Sequence, residues 1–185
     1  MSAPRLILAT GNPHKLEELR RALPGWEIDL LGRSDAPPED GSTFEENARI
    51  KARWGRAHAP SDAWAVGEDS GIEVDALDGA PGIHSARWTE DHLGRLLAEL
   101  EHAGDRRCRY RCAMVAIGPD GSEVVAHGTL EGVVGRAPRG TEGFGYDPLF
   151  VPRGETRTVA ELGDAWKETH SHRARAAAAL AELLT

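Results

Sequence analysis

The stretch RLILATGNPHKLEELRRAL, residues 5–23, constrains the fold of this chain more than any other. RLILAT is a short apolar run and reads as a buried strand. Gly11, Asn12 and Pro13 break it, and Leu16, Leu19 and Leu23 follow at helical spacing. Strand, turn and amphipathic helix in that order open a chain in the α/β manner. WEIDLL reads as a second strand and GRSDAPPEDG as a polar loop. TFEENARIKARWGRAHA reads as a helix, with Thr43 as N-cap and Glu46 three residues later. AWAVGEDSGIEVDAL is expected to form two strand segments around a turn at Asp69, Ser70 and Gly71. GAPGIHSARW reads as a structured loop. DHLGRLLAELEHAG carries Leu93, Leu96, Leu97 and Leu100 and is expected to be a helix ended by Gly104. RCRYRCAMVAIGPDGSEVVAHGTLEGVVG reads as a long β-hairpin turning at Pro119, Asp120, Gly121 and Ser122. GTEGFGYDPLFVP is a glycine and aromatic loop running into a strand, and SHRARAAAALAELL is an alanine-rich helix. Hairpin strands that follow each other directly predict a mixed sheet with flanking helices, not a purely parallel one.

At 185 residues the chain suits one domain, residues 1–185, with two lobes. A net charge of -8 argues against general nucleic-acid binding, which needs a basic surface. A small anionic substrate in a local basic pocket stays open. The apolar run near the N-terminus is too short for a signal h-region or a membrane span, so the expected address is cytoplasmic. Cys108 and Cys112 stand four apart on one expected strand, which is poor disulfide geometry, and no second pair exists to complete a zinc site.

The stretch VGEDSGIEVDALDG, residues 66–79, poses the chemical question. Glu68 and Asp69 close an apolar run against Ser70 and Gly71. An adjacent acid pair repels itself and resists burial, so something cationic should stand nearby. Hard oxygen ligands suit magnesium, which takes one or two carboxylates with phosphate oxygens and waters. Glu46, Glu68 and Asp69 can supply such a site; an acidic strand end in water is the plainer alternative.

Four other stretches carry chemistry, each with a plain structural counterpart. In ATGNPHK, the Asn12 amide, the open amides of a new helix and Lys15 can hold a phosphate, or form a simple turn with a solvated lysine. The motif is not a Walker A loop, since GK[ST] is missing. Asn47 and Lys51 share a helix face, which is either a polar wall or solvated surface. In EGFGYDPLF, Phe144 can stack on a base beside Gly145, Tyr146 and Asp147, or cap a tight turn. In WKETHSHRARA, Ser171 can cap a helix that places His172 and Arg173 with Lys167 at one anion-binding locus.

Taken in order, ATGNPHK, TFEENARIKA, EDSGIEVDALDGAPGIHSAR, GFGYDPLF and AELGDAWKETHSHRARA resemble the motifs of the inosine triphosphate pyrophosphatase family, the XTP/dITP diphosphatases. The resemblance runs from residue 9 to about residue 176. It implies an elongated mixed sheet whose two α/β lobes flank a nucleotide cleft, and a homodimer. It implies that Thr10, Gly11, Asn12, Pro13, His14 and Lys15 contact the triphosphate, with Lys51 near phosphate. Asp69 would be the catalytic proton acceptor and a magnesium ligand, with Glu46 and Glu68 completing the metal side. Ser70 would contact substrate. Phe144, Gly145, Tyr146 and Asp147 would line the base and sugar pocket, and Lys167, His172 and Arg173 would close on base and phosphate. Glu68 stands where bacterial relatives usually have Asp, His84 and Trp88 stand where Tyr is common, and TEDH replaces the usual glycine after the SAR motif.

The resemblance implies magnesium-dependent hydrolysis of ITP, dITP and XTP to nucleoside monophosphate and pyrophosphate. Water positioned by Asp69 would attack the α-phosphorus. A donor that reads a 6-oxo group would reject adenine. Two alternatives compete: a septum-formation (Maf-like) pyrophosphatase, against which SHR and GFGYDP argue, and a nucleotide-binding module without turnover, against which the retained Asp69, Glu46 and Lys15 argue.

Overall fold

The computed structural model describes residues 5–185, and the part of the N-terminal reading that rests on residues 1–4 lies outside them. The expected opening is present: strand β1 (Leu6–Leu8), helix α1 (Pro13–Ala22) and strand β2 (Ile28–Leu30). Helix α2 (Phe44–His58) starts at Thr43, whose side chain accepts from the Glu46 amide. Strands β3 (Trp64–Val74), β4 (Arg107–Ile117) and β5 (Glu123–Val134) are long, and β6 (Phe150–Pro152) is short. Helix α3 (His92–Glu99) lies between β3 and β4 in the chain, and α4 (Val159–Leu162), α5 (Asp164–His170) and α6 (His172–Leu184) complete it.

The six strands form one sheet in the order β2-β1-β3-β4-β5-β6. β1 pairs parallel with β2 and β3, whereas β6 pairs antiparallel with β5, so the sheet is mixed. The link between β4 and β5 closes with the Gly118 amide donating to Ser122 O at 2.8 Å, at the turn the sequence marks. Among the described residues no helix is long and apolar enough to cross a membrane.

Two expectations are corrected. The run from residue 64 to residue 74 is a single strand, with no turn at Ser70 and Gly71. Ser and Gly are turn formers by composition, but here the strand runs on into Ile72 and Val74, which are buried in a core, and burial there outweighs turn propensity. Helix α3 ends at Glu99, with Leu100 as its C-cap, before it reaches the Gly104 expected to stop it.

The chain divides into two compact units. The first holds the described residues up to Asp69, with Cys112–Gly128 and His172–Thr185; the second holds Ser70–Arg111 and Thr129–Ser171. Each has its own core. In the first, Leu6, Leu8 and Val66 of the sheet pack with Leu16 and Leu19 of α1 and with Ala176, Ala177 and Leu180 of α6. In the second, Ile72, Val74, Tyr110 and Leu130 pack with Leu96 and Leu100 and with Tyr146, Leu149 and Phe150.

Two glycines seat the helices of the first unit on its strands. A Cβ at Gly67 of β3 would lie 2.0 Å from Ala48 O and 2.5 Å from Ala52 N of α2. A Cβ at Gly128 of β5 would lie 1.9 Å from His172 O and 2.5 Å from Ala176 N of α6. Backbone rests on backbone at both places, and only glycine permits that approach.

Candidate active site

Side chains alternate across a strand, so Glu68 and Asp69, adjacent in sequence, leave β3 on opposite faces. Their partners bear this out. Glu68 is fully buried, and its Oε1 accepts from Arg173 Nη2 at 3.0 Å, Arg173 Nε at 3.3 Å and Cys112 Sγ at 3.3 Å. Its Oε2 lies 2.6 Å from the Lys15 ammonium nitrogen. Arg173 also donates through Nη1 to Glu18 of α1. Burial alone would raise the Glu68 proton affinity; Arg173, Lys15 and Lys51 overcome it and hold the carboxyl well below the usual range. The acid pair is therefore tolerated because the protein's own cations compensate it.

Asp69 faces α2. Because Gly67 lets α2 lie against β3, Asn47 and Lys51, one turn apart, both reach it. Asn47 Nδ2 donates to Asp69 Oδ2 at 3.1 Å, and Lys51 Nζ lies 3.6 Å from Oδ1. Asn47 and Lys51 are buried, so the shared helix face is a polar wall and not solvated surface. Here burial wins: it raises the Asp69 proton affinity above the usual value, against the lowering pull of Lys51, Lys15 and Asn47.

Helix α1 begins at Asn12, whose Oδ1 accepts from the His14 amide at 3.0 Å, with Pro13 at the first helical position. The Asn12 amide in turn donates to Thr10 Oγ1 at 3.2 Å. Gly11 is exposed, and a Cβ there would meet nothing beyond its chain neighbours within 4 Å. The start of α1 is open to approach from solvent on that side. Lys15 stands in the first turn, already paired to Glu68.

The carboxylates expected as one metal set are dispersed. Glu46 is exposed, and its Oε2 accepts from both the amide and the hydroxyl of Ser42 at 2.7 Å. The return half of the expected capping box thus lands on Ser42, one residue before the N-cap. Glu68 is committed to Arg173 and Lys15. Among the described residues no group of three or more Asp, Glu, His or Cys is arranged to hold a metal. A carboxylate that the sequence did not single out stands nearer: Glu39 Oε1 accepts from Lys51 Nζ at 3.0 Å, so one ammonium serves both Glu39 and Asp69. Glu39 lies in the loop that composition marks only as polar, and its one signal is its place just before the TF motif.

The second unit holds the aromatic loop. Asp147 is buried, its Oδ2 accepting from Lys167 Nζ at 2.9 Å and from the Phe144 amide at 3.0 Å. The Lys167 ammonium lies 4.7 Å from the centre of the half-buried Phe144 ring. Tyr146 is a core residue: its hydroxyl donates to Ser85 O at 3.2 Å, and burial pushes its phenol up to about 12. Phe144 and the exposed Gly145 are thus the parts of the motif that face outward. Ser70, half-buried, follows Asp69 on β3, and Gly71 continues the strand. Ser171 is buried and caps the C-terminus of α5, directly before α6, where His172 and Arg173 are buried in the first turn.

A mixed sheet with helices on it, a helix start with Lys15 beside a buried carboxylate pair, and a glycine-aromatic loop tied to a buried lysine make this an α/β protein with a cation-lined polar site suited to an anionic ligand. The Ham1 family model matches residues 6–183, and the chain belongs to the Ham1 family. It is 48% identical to a dITP/XTP pyrophosphatase of Symbiobacterium thermophilum, over 100% of this chain and 96% of that protein. It is 47% identical to a dITP/XTP pyrophosphatase of Streptomyces coelicolor, over 95% and 94%. Among solved structures, the Staphylococcus aureus Ham1 protein superposes with a TM-score of 0.85 at 33% identity, covering 97% of each chain. Together these relatives place the chain in the α/β fold that its motifs imply.

Proposed function

We propose that this chain is a nucleoside triphosphate pyrophosphatase that hydrolyses dITP, XTP and ITP to the nucleoside monophosphate and pyrophosphate, clearing non-standard purines from the nucleotide pool. The names of the relatives support the substrate class. The observation that carries the mechanism is the contrast between adjacent carboxylates. Glu68 is held ionised by Arg173 and Lys15, while burial raises the proton affinity of Asp69. Neighbouring acids with proton affinities pushed apart mark a division of labour: Glu68 is taken up by Arg173 and Lys15, which leaves Asp69, the stronger base while ionised, to accept the proton.

Asp69 takes a proton from water. The water oxygen bonds to the α-phosphorus, the bond from that phosphorus to the bridging oxygen breaks, and pyrophosphate leaves. Asn47 holds Asp69 Oδ2 and the Lys51 ammonium stands by Oδ1, so the carboxylate is oriented before water reaches it. The open start of α1, with Lys15 and Lys51, takes the phosphates. Phe144 takes the base, and Lys167, whose ammonium lies 4.7 Å from the Phe144 ring centre, is the candidate that donates to its 6-oxo group. Adenine carries an amine there and would leave such a donor unpaired.

Magnesium fits this donor set. A hard cation needs one or two carboxylates and completes its shell with waters and phosphate oxygens. Asp69 and Glu39 already share one cation, the Lys51 ammonium, and are the pair that would hold it. When bound, the metal supplies charge neutralisation and polarises phosphate oxygens. Glu46 and Glu68, bonded to Ser42 and Arg173, support the site from the side. We also expect a cytoplasmic homodimer, as the family resemblance implies; light scattering checks the dimer. Pyrophosphate release from a nucleotide panel, with and without a chelator, tests the function. Selective turnover of dITP, XTP and ITP that stops on metal removal supports it, and turnover of standard nucleotides alone overturns it.

A further inference from the structure

Resting on the function proposed above, we infer that Tyr110 is a positioning residue for base recognition: from β4 it fixes the Asp147 carboxylate and, through it, Lys167 and Phe144. Tyr110 Oη donates to Asp147 Oδ1 at 3.0 Å. The other oxygen of that carboxylate accepts from Lys167 and from the Phe144 amide. One carboxylate therefore ties together a strand, the aromatic loop and helix α5.

The choice of tyrosine needs a reason. The ring stacks on Phe150, with centroids 4.3 Å apart and planes at 15°, inside the core of the second unit. A phenylalanine would make that stack equally well. The hydroxyl, in contrast, must be desolvated in a site that is 6% exposed, and a buried hydroxyl is tolerated only when it is bonded. Asp147 accepts that bond. It is itself buried and charged, and bonds to a charged acceptor are the strong ones.

The geometry says what the bond does. A carboxylate anchored through one oxygen alone can swing about its Cβ–Cγ axis. Anchored at Oδ1 to a strand and at Oδ2 to the loop amide, it cannot, so the Lys167 ammonium stays 4.7 Å from the Phe144 ring centre. A base stacked on Phe144 would then meet a donor at a fixed height and angle. Loss of the Tyr110 hydroxyl would loosen that donor without touching the phosphate-binding residues or Asp69.

The test is Tyr110→Phe, which keeps the ring and removes only the hydroxyl. For the variant, the KM for dITP and XTP is expected to rise about tenfold, the usual loss for a bond to a charged group. Its kcat should stay within about twofold, because the interaction is made equally in ground and transition states. The advantage of dITP over dATP should shrink by a similar factor. Competitive inhibition by inorganic tripolyphosphate, which reads the phosphate site alone, should not change. Affinity for inosine monophosphate, measured by calorimetry on both proteins, reads the same contact without turnover. Wild-type protein that turns over no nucleotide overturns the function proposed above. Equal KM and equal inosine monophosphate affinity in the two proteins overturn the role of Tyr110. So does a loss in kcat matching that in kcat/KM, or a Tyr110→Phe chain that does not fold.

Discussion

Glu68 and Asp69 share a peptide bond and have opposite environments. The consequence for stability has opposite signs. The folded Glu68 carboxyl lies well below the ordinary value of about 4.3, so its contribution is present above that pH and is lost as pH falls below it. The folded Asp69 carboxyl lies above the ordinary value of about 3.9, so its contribution is present at lower pH and is lost as pH rises through the raised value. Asp69→Asn should therefore raise the unfolding midpoint at pH 7 while cutting kcat by about 10²–10⁴, the range for losing a general base. Thermal melts and single-turnover rates on one preparation check both; a lower midpoint contradicts the burial argument. Glu68→Gln should lower stability instead. It takes the charge from the buried partner of Arg173 and should cost about 3 kcal/mol in urea unfolding at pH 7, with the acid-side loss of stability reduced.

At the scale of elements, the proposed catalytic constellation depends on how closely helices approach strands. Asn47 and Lys51 reach Asp69 because α2 rests on Gly67. Gly67→Ala would drive a methyl into Ala48 O and should destabilise the chain by about 3 kcal/mol, as overpacking against backbone does. Activity in what still folds should fall too, since α2 can relieve the clash only by moving away from Asp69. Retained stability and full kcat would show that α2 is seated some other way. The sequence locates α1 by Leu16 and Leu19 at helical spacing, α2 by Thr43 and Glu46 at its start, and α6 by its alanine-rich composition, and each buries apolar residues in the fold. It fails at Ser70 and Gly71, where turn propensity loses to a strand that continues into the buried Ile72 and Val74. It gives no sign of α4 and α5, which are short; α4 is set by Thr158 and Glu161 in a capping box, and α5 starts from Gly163 with no side-chain cap.

At the scale of the whole chain, the fold and the chemical class are legible because several motifs occur in one order, although no single motif is specific. The partners within the site are not. Nothing in the sequence says that Lys15 and Arg173 converge on Glu68, since residues 15, 68 and 173 are brought together only by the packing of α1 and α6 with the strands of the first unit. Nor does it say that Glu39, in a loop read as polar, shares an ammonium with Asp69. Glu46, by contrast, looks like a ligand because it is a conspicuous acid in a motif; its carboxylate closes the loop at Ser42. If Glu39 is half of a metal pair, Glu39→Gln should raise the magnesium concentration needed for half-maximal rate by about tenfold, as losing a charged ligand does. Glu46→Gln should shift it far less, and a magnesium titration of the two variants separates them. The measurement that tests the central claim most directly is pyrophosphate release from dITP, XTP and ITP, beside ATP, GTP and dTTP, by wild type and Asp69→Asn with Mg²⁺. Turnover of the first three, lost in the variant, is the predicted result; turnover confined to the standard nucleotides, or undiminished in Asp69→Asn, would contradict it.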